Sequence, residues 1–348
     1  MNSQLRVTVL RNSEAAEQVV RDWTALWERC PAATTFQRPE WILSWMGAFR
    51  PEQPLIVEVR DGSRLVGIAP FLIYKERADR ILGLMGGGVS DYLDILVEDN
   101  STEDGIPRTI SSILSYITRS EFSWDVLNFT DLSSASTLLT VVEDGIRSSH
   151  HDICTQILVP PGTRHIREVI SKHKYENLRN ACFRLQREGA AHIELATQET
   201  LEEFLDALFE IHETRWEELG KPGVLADEKI RVFHREVARE LLRLGVLRFY
   251  GLRLNGHLVA MLYSFFEREV VYCYLQGFDP AYSKLSTGTL LLGTAIEDAL
   301  HEGKKRIDFL RGQEPYKYNW GVKDSATFRI QVQREVLVQM PRNNTVAA

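Results

Sequence analysis

Residues 247–265 read LRFYGLRLNGHLVAMLYSF, two apolar runs on either side of Asn255-Gly256. This pattern predicts a β-hairpin, because both residues of an Asn-Gly turn tolerate a positive φ. Residues 55–71 repeat the arrangement as LIVEVRDGSRLVGIAPF, with Asp-Gly at the turn. The sequence therefore predicts one hairpin of the same kind in each half of the chain.

The segments that follow the two hairpins also match in kind and order. Each half continues with a strand, a helix and a second strand, predicted at 92–97, 103–119 and 124–129 in the first half and at 270–275, 286–302 and 306–310 in the second. An ordered match of this length predicts a tandem duplication of one α/β unit. The Pro-Pro-Gly linker at 160–162 places the boundary, which gives domains at 1–160 and 161–348.

The composition is that of a globular protein. The 348 residues are 44% hydrophobic and 26% charged, with a mean hydropathy of −0.20. No apolar run reaches the roughly 18 residues that a membrane-spanning helix needs. The net charge of −7 argues against a surface that binds a polyanion all over, and it still permits one local basic groove.

Cysteines, histidines and the N-terminus exclude several further classes of protein. The four cysteines are far apart and form no CxxC pair, and the nine histidines show no HxH or HExxH spacing. We therefore expect neither a metal site nor a disulfide framework. The polar N-terminal segment lacks a secretory pattern, so we expect a cytoplasmic protein.

The strongest chemical signal follows the strand predicted at 270–275, where residues 276–292 read QGFDPAYSKLSTGTLLL. A polar loop here opens directly into an apolar helix, whose free N–H groups and dipole favour an anion. Gly288 permits close approach of the backbone, and Lys284 adds a positive charge. The residues predicted to bind an anionic cofactor are Leu275, Gln276, Gly277, Tyr282, Ser283, Lys284, Ser286, Thr287 and Gly288. The alternative is that Ser286 is an ordinary N-cap.

The matching stretch of the first half, residues 98–105, reads EDNSTEDG. Its four carboxylates would repel a phosphate. We therefore expect the second domain to bind the cofactor. The first domain is then a degenerate copy on the acceptor side.

Three stretches resemble a known family: YSKLSTGTL at 282–290, DFLRGQEPYKYNWG at 308–321 and HKYENLRN at 173–180. They resemble GNAT acyltransferases of the BioF2-like, CelD type, over about residues 10–330. That family is related to the FemABX peptidyltransferases. The resemblance implies an α/β (α+β) fold of two tandem GNAT-like domains, each a mixed, mostly antiparallel sheet flanked by helices. It also implies an acyl-CoA donor, such as acetyl-CoA, and transfer to an amine or a hydroxyl.

Acyl transfer from a thioester needs a base for the acceptor and a proton donor for the leaving thiolate. Asp308 and Glu314 lie at and just after the last strand of the second half, and either of them, directly or through water, is the candidate base. Tyr316 and Tyr318 follow closely and are the candidate proton donors. A strand-end hydrogen bond for Asp308 and a solvated loop position for Glu314 remain the alternatives.

Other charged and polar residues are candidates for binding the acceptor. Asp91 and Tyr92 follow three glycines, and Asp91 is also a candidate base if it reaches the cleft. Lys174 and Arg179 lie in a basic segment that is otherwise an ordinary solvated helix. Arg311 and Lys317 either bind substrate or pair with the neighbouring acids.

These residues give the hypothesis of an acyl-CoA-dependent N- or O-acyltransferase that acts on a small molecule or saccharide without a metal. The usual GNAT phosphate-loop motif, Gln/Arg-x-x-Gly-x-Gly/Ala, is absent. An aminoacyl-tRNA donor, as in related FemABX proteins, is therefore an alternative, and it is the only reading that requires a nucleic acid. A catalytically inactive binding module in polysaccharide biosynthesis is the third.

Overall fold

The computed structural model describes residues 5–99, 105–119, 121–140, 147–218, 220 and 223–339. The chain forms two compact units. Unit 1 consists of residues 1–152 and 326–348, and unit 2 consists of residues 153–325. No helix in the described part of the chain is both long and apolar enough to cross a bilayer.

Unit 1 contains a sheet and several helices. Both of its chain segments, 1–152 and 326–348, contribute strands to the sheet. Its elements are β1 (Leu5–Leu10), α1 (Ser13–Glu17), α2 (Val20–Arg29), α3 (Pro39–Phe49), β2 (Gln53–Asp61), β3 (Arg64–Glu76), β4 (Asp79–Leu84), β5 (Leu96–Val97), α4 (Gly105–Ile117), β6 (Val126–Ser133) and α5 (Thr137–Thr140). The sheet order is β1-β2-β3-β4-β6, with β5 beside β3, and among the described residues of these strands only the pair β4–β6 is parallel.

Unit 2 repeats this arrangement. The chain enters it along β7 (Ser148–Leu158) and continues through α6 (Lys172–Glu188), β8 (Ala191–Leu195), α7 (Leu201–Glu218), α8 (Glu228–Arg243), β9 (Leu247–Leu254), β10 (His257–Glu267), β11 (Val270–Phe278), α9 (Thr287–His301), β12 (Arg306–Arg311) and α10 (Pro315–Tyr318). The sheet order is β7-β12-β11-β10-β9-β8, and in the part of unit 2 that the structure describes only β11–β12 is parallel. The predicted class, mixed and mostly antiparallel sheets flanked by helices, is confirmed.

The chain crosses between the units twice, which the linker alone did not indicate. After unit 2 it returns as β13 (Lys323–Gln333), which pairs with β6, and ends its described part with α11 (Arg334–Gln339). The compact units therefore divide at 152/153 and 325/326, whereas the sequence places one boundary at 160/161. The assignment of functional halves to 1–160 and 161–348 stays a prediction.

One predicted strand is wrong. Residues 92–97 contribute only Leu96–Val97, and the strand that pairs in parallel with β6 is instead β4. Hydrogen bonds with groups outside a strand ladder occupy this segment: the Asp94 carboxylate accepts the Ile95 N–H at 2.8 Å, and the Tyr92 carbonyl accepts Gln37 Nε2 at 2.9 Å. Backbone groups satisfied in this way do not extend a ladder.

The matched strands β6 and β12 share a distortion. The register of β6 shifts between Phe129 and Leu132, and that of β12 shifts between Asp308 and Arg311. A non-glycine residue with left-handed backbone lies inside each shift, Asp131 at φ 58° and Leu310 at φ 59°. A bulge at the same place in both strands supports the duplication that the hairpins predict.

The core of unit 2 positions its chemistry. Helices α6 and α9 cover one face of the sheet and bury an apolar cluster that includes Leu178, Leu262, Leu291 and Ile307. On the other face, α7 contacts β11 so closely that a Cβ at Gly277 would lie 3.0 Å from Ile211 Cγ2. The ends of β11 and β12 lie in the sheet between these two layers, and the first turn of α9 lies beside the end of β11.

Candidate functional site

Strands β11 and β12 separate part-way along their length. They pair in parallel only where Val270–Tyr272 faces Arg306–Asp308. Beyond that point β11 stays bonded to β10 as far as Phe278, whereas β12 stays bonded to β7 as far as Arg311. Each strand follows its other neighbour, so a slot opens between them after Tyr272.

Asp308 lies at the point where the strands separate and is only 1% exposed. Its Oδ1 accepts the backbone N–H of Leu310 at 2.9 Å. This bond stabilises the left-handed conformation of Leu310, which costs about 1 kcal/mol or more for a residue with a Cβ. The alternative that sequence left open, a strand-end hydrogen bond, is therefore present in the structure.

Lys317 anchors α10 to the end of β12. Its side chain is buried, and Nζ donates to the carbonyls of Arg311 at 2.6 Å and Gly312 at 3.2 Å, with Leu310 O at 3.4 Å. Nζ also pairs with Glu314 Oε2 at 3.0 Å. The Glu314 side chain is 53% exposed and can contact a solute from its free side.

Cys273 and Tyr316 lie at the open part of the slot. Burial, followed by the charge of Asp308, raises the pKa of the Cys273 thiol to about 12, while Lys317 opposes this. The pKa of the Tyr316 hydroxyl lies above its usual range, chiefly because the surrounding protein desolvates the hydroxyl, although the side chain as a whole is 45% exposed, and also because of the charge of Glu314. Both groups therefore keep their protons at neutral pH.

The first turn of α9 is not capped by the residue that precedes it. Ser286 has left-handed backbone, at φ 58° and ψ 40°, and its side chain makes no cap hydrogen bond. Its Oγ instead accepts from Arg184 Nη2 at 3.3 Å. The ordinary N-cap alternative is thus not adopted, and a cation on α6 lies beside the start of the helix.

A buried polar group lies in the same turn. The Thr287 side chain is 1% exposed, and its Oγ1 has no hydrogen-bond partner. Buried hydroxyls without a partner are uncommon and are satisfied when a ligand or water binds. Thr287 Oγ1 is therefore a buried acceptor and donor beside a helix start that Ser286 does not cap.

The absence of a side chain at Gly288 leaves room for the side chain of Gln276. Gln276 Nε2 donates to the Gly288 carbonyl at 2.6 Å, and a Cβ at Gly288 would meet that same nitrogen at 2.6 Å. This contact joins the end of β11 to the first turn of α9.

Among the other residues predicted for this loop, Tyr282 packs against the core, Gly277 against α7, and Ser283 and Lys284 are exposed. Leu275 lies in β11, opposite Tyr263.

The remaining candidates of unit 2 are not gathered into one cluster. Tyr318 donates to Asp324 Oδ1 at 2.7 Å, and this bond raises the pKa of its hydroxyl. Lys174 places Nζ 4.0 Å from the Trp320 ring centre, and burial lowers the pKa of its ammonium. Arg179 is exposed on α6.

Asp91 and Tyr92 belong to unit 1. Tyr92 is buried, and its ring lies 6.2 Å from that of Phe36, so its side chain packs in a core. Asp91 is half-buried. The nearby Asp94, which sequence did not single out, has a carboxyl whose pKa burial raises to about 7.

The acidic stretch of the first half is partly neutralised. Glu98 is buried and forms ion pairs with Arg29, at 2.8 Å, and with Arg64. Residues 100–104 of this stretch lie outside the described residues. Glu98 therefore has a structural role, which weakens the repulsion that four free carboxylates would exert.

Sequence reasoning missed a group of polar side chains between α7, α8 and the sheet. His234 is 2% exposed, and its ring lies 5.8 Å from that of Tyr263 and 5.7 Å from that of Tyr274. His234 Nδ1 and Tyr263 Oη are buried and lack hydrogen-bond partners. Their wide spacing along the chain forms no motif, so only the fold brings them together.

His212 connects this group to the slot. Burial, then the charges of Arg215 and Arg231, lowers the pKa of His212 to about 4. The Arg215 guanidinium also lies 5.0 Å from the Phe278 ring centre, and its positive charge opposes the rise in the pKa of Tyr316. The first turn of α9, the slot and the end of α7 thus surround one region of unit 2.

Residues 172–318 match the family model described as an acetyltransferase (GNAT) domain. These bounds coincide with the first residue of α6 and the last residue of α10. This part of the chain is therefore similar to GNAT domains. The matched domain is that of an acyltransferase, as the resemblance implied, and it contains the slot and the α9 turn described above.

Solved structures of the same fold extend over nearly the whole chain. FemX is similar at a TM-score of 0.66 and 11% identity, covering 93% of this chain and 98% of its own. A second is the C-terminal domain of a putative lysylphosphatidylglycerol synthetase from Agrobacterium fabrum, with a TM-score of 0.57 and 11% identity, covering 91% of this chain and 92% of its own. A third is L-PGS from Bacillus licheniformis, with a TM-score of 0.56 and 13% identity, covering 89% of this chain and 90% of its own. No curated protein matched the sequence. At these identities the structural likeness establishes the fold, which is related to that of FemX.

Proposed function

We propose that this protein is an acyl-CoA-dependent N- or O-acyltransferase that binds its donor in unit 2. The pyrophosphate lies at the first turn of α9, and the pantetheine arm enters the slot between β11 and β12. The observation that carries this proposal is the separation of the two strands after Tyr272, next to a helix start that Ser286 does not cap.

Three features of the α9 turn favour a phosphate over other ligands. Its N–H groups point out of the helix start, and the helix dipole adds partial positive charge. Arg184 lies beside the turn, and Lys284 is two residues before Ser286. Thr287 Oγ1 is a buried group in need of a partner. A phosphate oxygen would accept from all of these donors.

The slot supplies groups suited to thioester chemistry. The acceptor's nitrogen or oxygen attacks the thioester carbonyl carbon, the C–S bond breaks, and the acceptor's proton passes to a base. We assign the base to Glu314, because its carboxylate is half exposed. Asp308 is assigned to stabilising the bulge in β12 through its hydrogen bond from the Leu310 N–H. Tyr316, which keeps its proton, is assigned to protonate the departing thiolate.

The acceptor is assigned only by class, as an amine or hydroxyl of a small molecule or saccharide. Asp91, Tyr92, Lys174, Arg179 and Arg311 stay predicted acceptor-binding residues. Lys317 also stays a prediction, although its Nζ already serves three carbonyls and Glu314. Tyr318 is the less favoured proton donor, because its hydroxyl is bonded to Asp324.

Calorimetric titration with acetyl-CoA, free CoA and uncharged pantetheine tests the donor. We expect both CoA species to bind and pantetheine to bind at least tenfold more weakly. Arg184→Gln and Lys284→Gln should each weaken CoA binding by about five- to tenfold, as loss of one charged contact implies. Arg187→Gln, on the same exposed helix, is the matched control and should bind CoA normally.

The outcomes separate the alternatives. Equal binding of pantetheine and CoA would contradict the proposed phosphate site at the α9 turn. No binding of either, together with saturable binding of an aminoacyl-tRNA, would favour the FemABX-like donor. CoA binding without acetyl transfer to any of a panel of amines and amino sugars would favour an inactive binding module.

A further inference from the structure

Two imidazoles converge on one carboxylate oxygen at the C-terminal end of α9. His165 Nδ1 lies 3.3 Å from Glu297 Oε1, and His301 Nε2 lies 3.6 Å from the same oxygen. All three ligand atoms lie within 4.8 Å of one another. Glu297 and His301 are one helical turn apart, while His165 comes from the segment before α6, so the fold and not a local motif assembles the group.

These distances fit the edges of a coordination tetrahedron. With metal–ligand bonds of about 2.0–2.2 Å, as zinc forms with histidine and carboxylate, the edges of a regular tetrahedron are roughly 3.3–3.6 Å. The two His–Glu separations agree with that length. The third edge, between the imidazole nitrogens, can shorten by rotation of the two rings, since both side chains are more than half exposed.

The carboxylate at the centre of the group is held in place. Glu297 Oε2 accepts the backbone N–H of Ile166 at 2.6 Å, which leaves Oε1 directed at the histidines. The backbone N–H of His165 donates to Glu168 Oε1 at 3.0 Å and fixes the segment that carries the first imidazole. Hydrogen bonds of this kind orient ligands at metal sites and sustain their affinity.

We propose that His165, Glu297 and His301 form a site for a divalent metal of the zinc type. Three protein ligands with nitrogen and oxygen donors leave a fourth position for water, an arrangement that zinc accepts. Glu297 and His301 lie in the second half of α9, so the site is roughly 15–20 Å from Thr287 at the α-helical rise. The metal therefore joins the segment before α6 to α9, and it takes no part in the proposed acyl transfer.

Titration of the tag-free, EDTA-treated full chain with zinc chloride tests the site by calorimetry. We expect one zinc per chain. His165→Asn, His301→Asn and Glu297→Gln should each weaken binding at least tenfold, and the last variant keeps an oxygen for the Ile166 N–H. His192→Asn is the matched control, because His192 forms a similar exposed pair with Glu194 at 3.5 Å but has no third ligand among the described residues.

Cobalt provides a second readout, because tetrahedral Co²⁺ absorbs strongly in the visible range and octahedral Co²⁺ does so weakly. A strong absorption that is lost in His165→Asn and His301→Asn supports the proposal. Absence of saturable zinc binding would overturn it, as would binding that survives both substitutions. Binding that is lost equally in His192→Asn would also overturn it, and thermal unfolding of each variant excludes a failure to fold.

Discussion

The carboxylate of Asp308 accepts the N–H of Leu310 at 2.9 Å, and Leu310 has a left-handed φ of 59°. This single bond lies where β12 leaves β11, so it helps to set the width of the slot. The bond needs only an acceptor at the position of Oδ1, whereas proton transfer would need a carboxylate. The two roles of Asp308 can therefore be separated by substitution.

We expect Asp308→Asn to unfold with nearly the wild-type free energy, because the amide oxygen can still accept from Leu310. Asp308→Ala should be less stable by about 1–3 kcal/mol, the cost of leaving a buried donor unsatisfied. If Glu314 is the base, Asp308→Asn also retains most of its turnover. Urea denaturation and the release of CoA from acetyl-CoA measure the two effects, and a fully folded but inactive Asp308→Asn would reassign the base to Asp308.

Gly288→Ala should weaken both stability and CoA binding, since its Cβ would lie 2.6 Å from Gln276 Nε2. Displacing Gln276 breaks its bond to the Gly288 carbonyl, and we expect a loss of about 1 kcal/mol or more. Gly47→Ala is the matched control. It lies in α3 with nothing within 4 Å of the added Cβ, so it should be neutral or stabilise by up to about 1 kcal/mol.

The double variant Gln276→Ala/Gly288→Ala tests the cause. If the clash with Gln276 is responsible, the glycine substitution should cost much less in the Gln276→Ala background than alone. Additive losses would show that Gly288 is needed for another reason.

The hairpins, the helix at 287–301 and the strand at 306–311 were all predictable, because period-two patterns and turn dipeptides are local signals. The tandem duplication was predictable as well, because it is read from the order of these locally recognised elements. The strand exchange was not predictable, since the pairing of β13 with β6 depends on contacts between residues some 200 positions apart.

The site was predictable only in part. The α9 turn was found because a strand, a small-residue loop and an apolar helix follow one another in sequence. The conformation of Ser286 and its contact with Arg184 were not, since the arginine comes from a helix a hundred residues earlier. The buried histidines His212 and His234 form no spacing motif, and the same is true of His165 with Glu297.

Lys317→Met should be strongly destabilising. The buried ammonium donates to the carbonyls of Arg311 and Gly312, and its removal leaves buried acceptors and the Glu314 carboxylate without their partner. We expect a loss of roughly 3 kcal/mol. Lys323→Met, at an exposed position, is the control and should change the free energy of unfolding by less than about 0.5 kcal/mol. An equal effect of the two substitutions would contradict the anchoring role.

Tyr316→Phe should lower turnover with little change in KM, because the hydroxyl is proposed to act only when the thiolate departs. A loss of about 10- to 100-fold is expected for removal of a general acid. Tyr318→Phe is the matched control, since its hydroxyl is bonded to Asp324. The assay follows free thiol from acetyl-CoA with an acceptor found in the amine and amino-sugar panel. A larger loss in Tyr318→Phe would exchange the roles of the two tyrosines.

His234 should make the protein sensitive to mild acid. Burial, and then the charge of His212, lowers its pKa from 6.5 to about 3 in the folded chain. Below pH 6.5 the unfolded chain binds a proton that the folded chain does not, so stability is full above that pH and is lost as the pH falls towards 3. The Tyr263 and Tyr274 rings also face it, and burial raises the pKa of Tyr263. The loss over this window is on the order of 5 kcal/mol.

The measurement is the free energy of unfolding between pH 7 and pH 4 in His234→Leu and in His257→Leu, whose histidine is exposed. His234→Leu should show a shallower decline than the wild type, because it removes a group that must take up a proton on unfolding. His257→Leu should follow the wild-type curve. Parallel curves for all three proteins would mean that folding does not lower the pKa of His234, which would contradict this prediction.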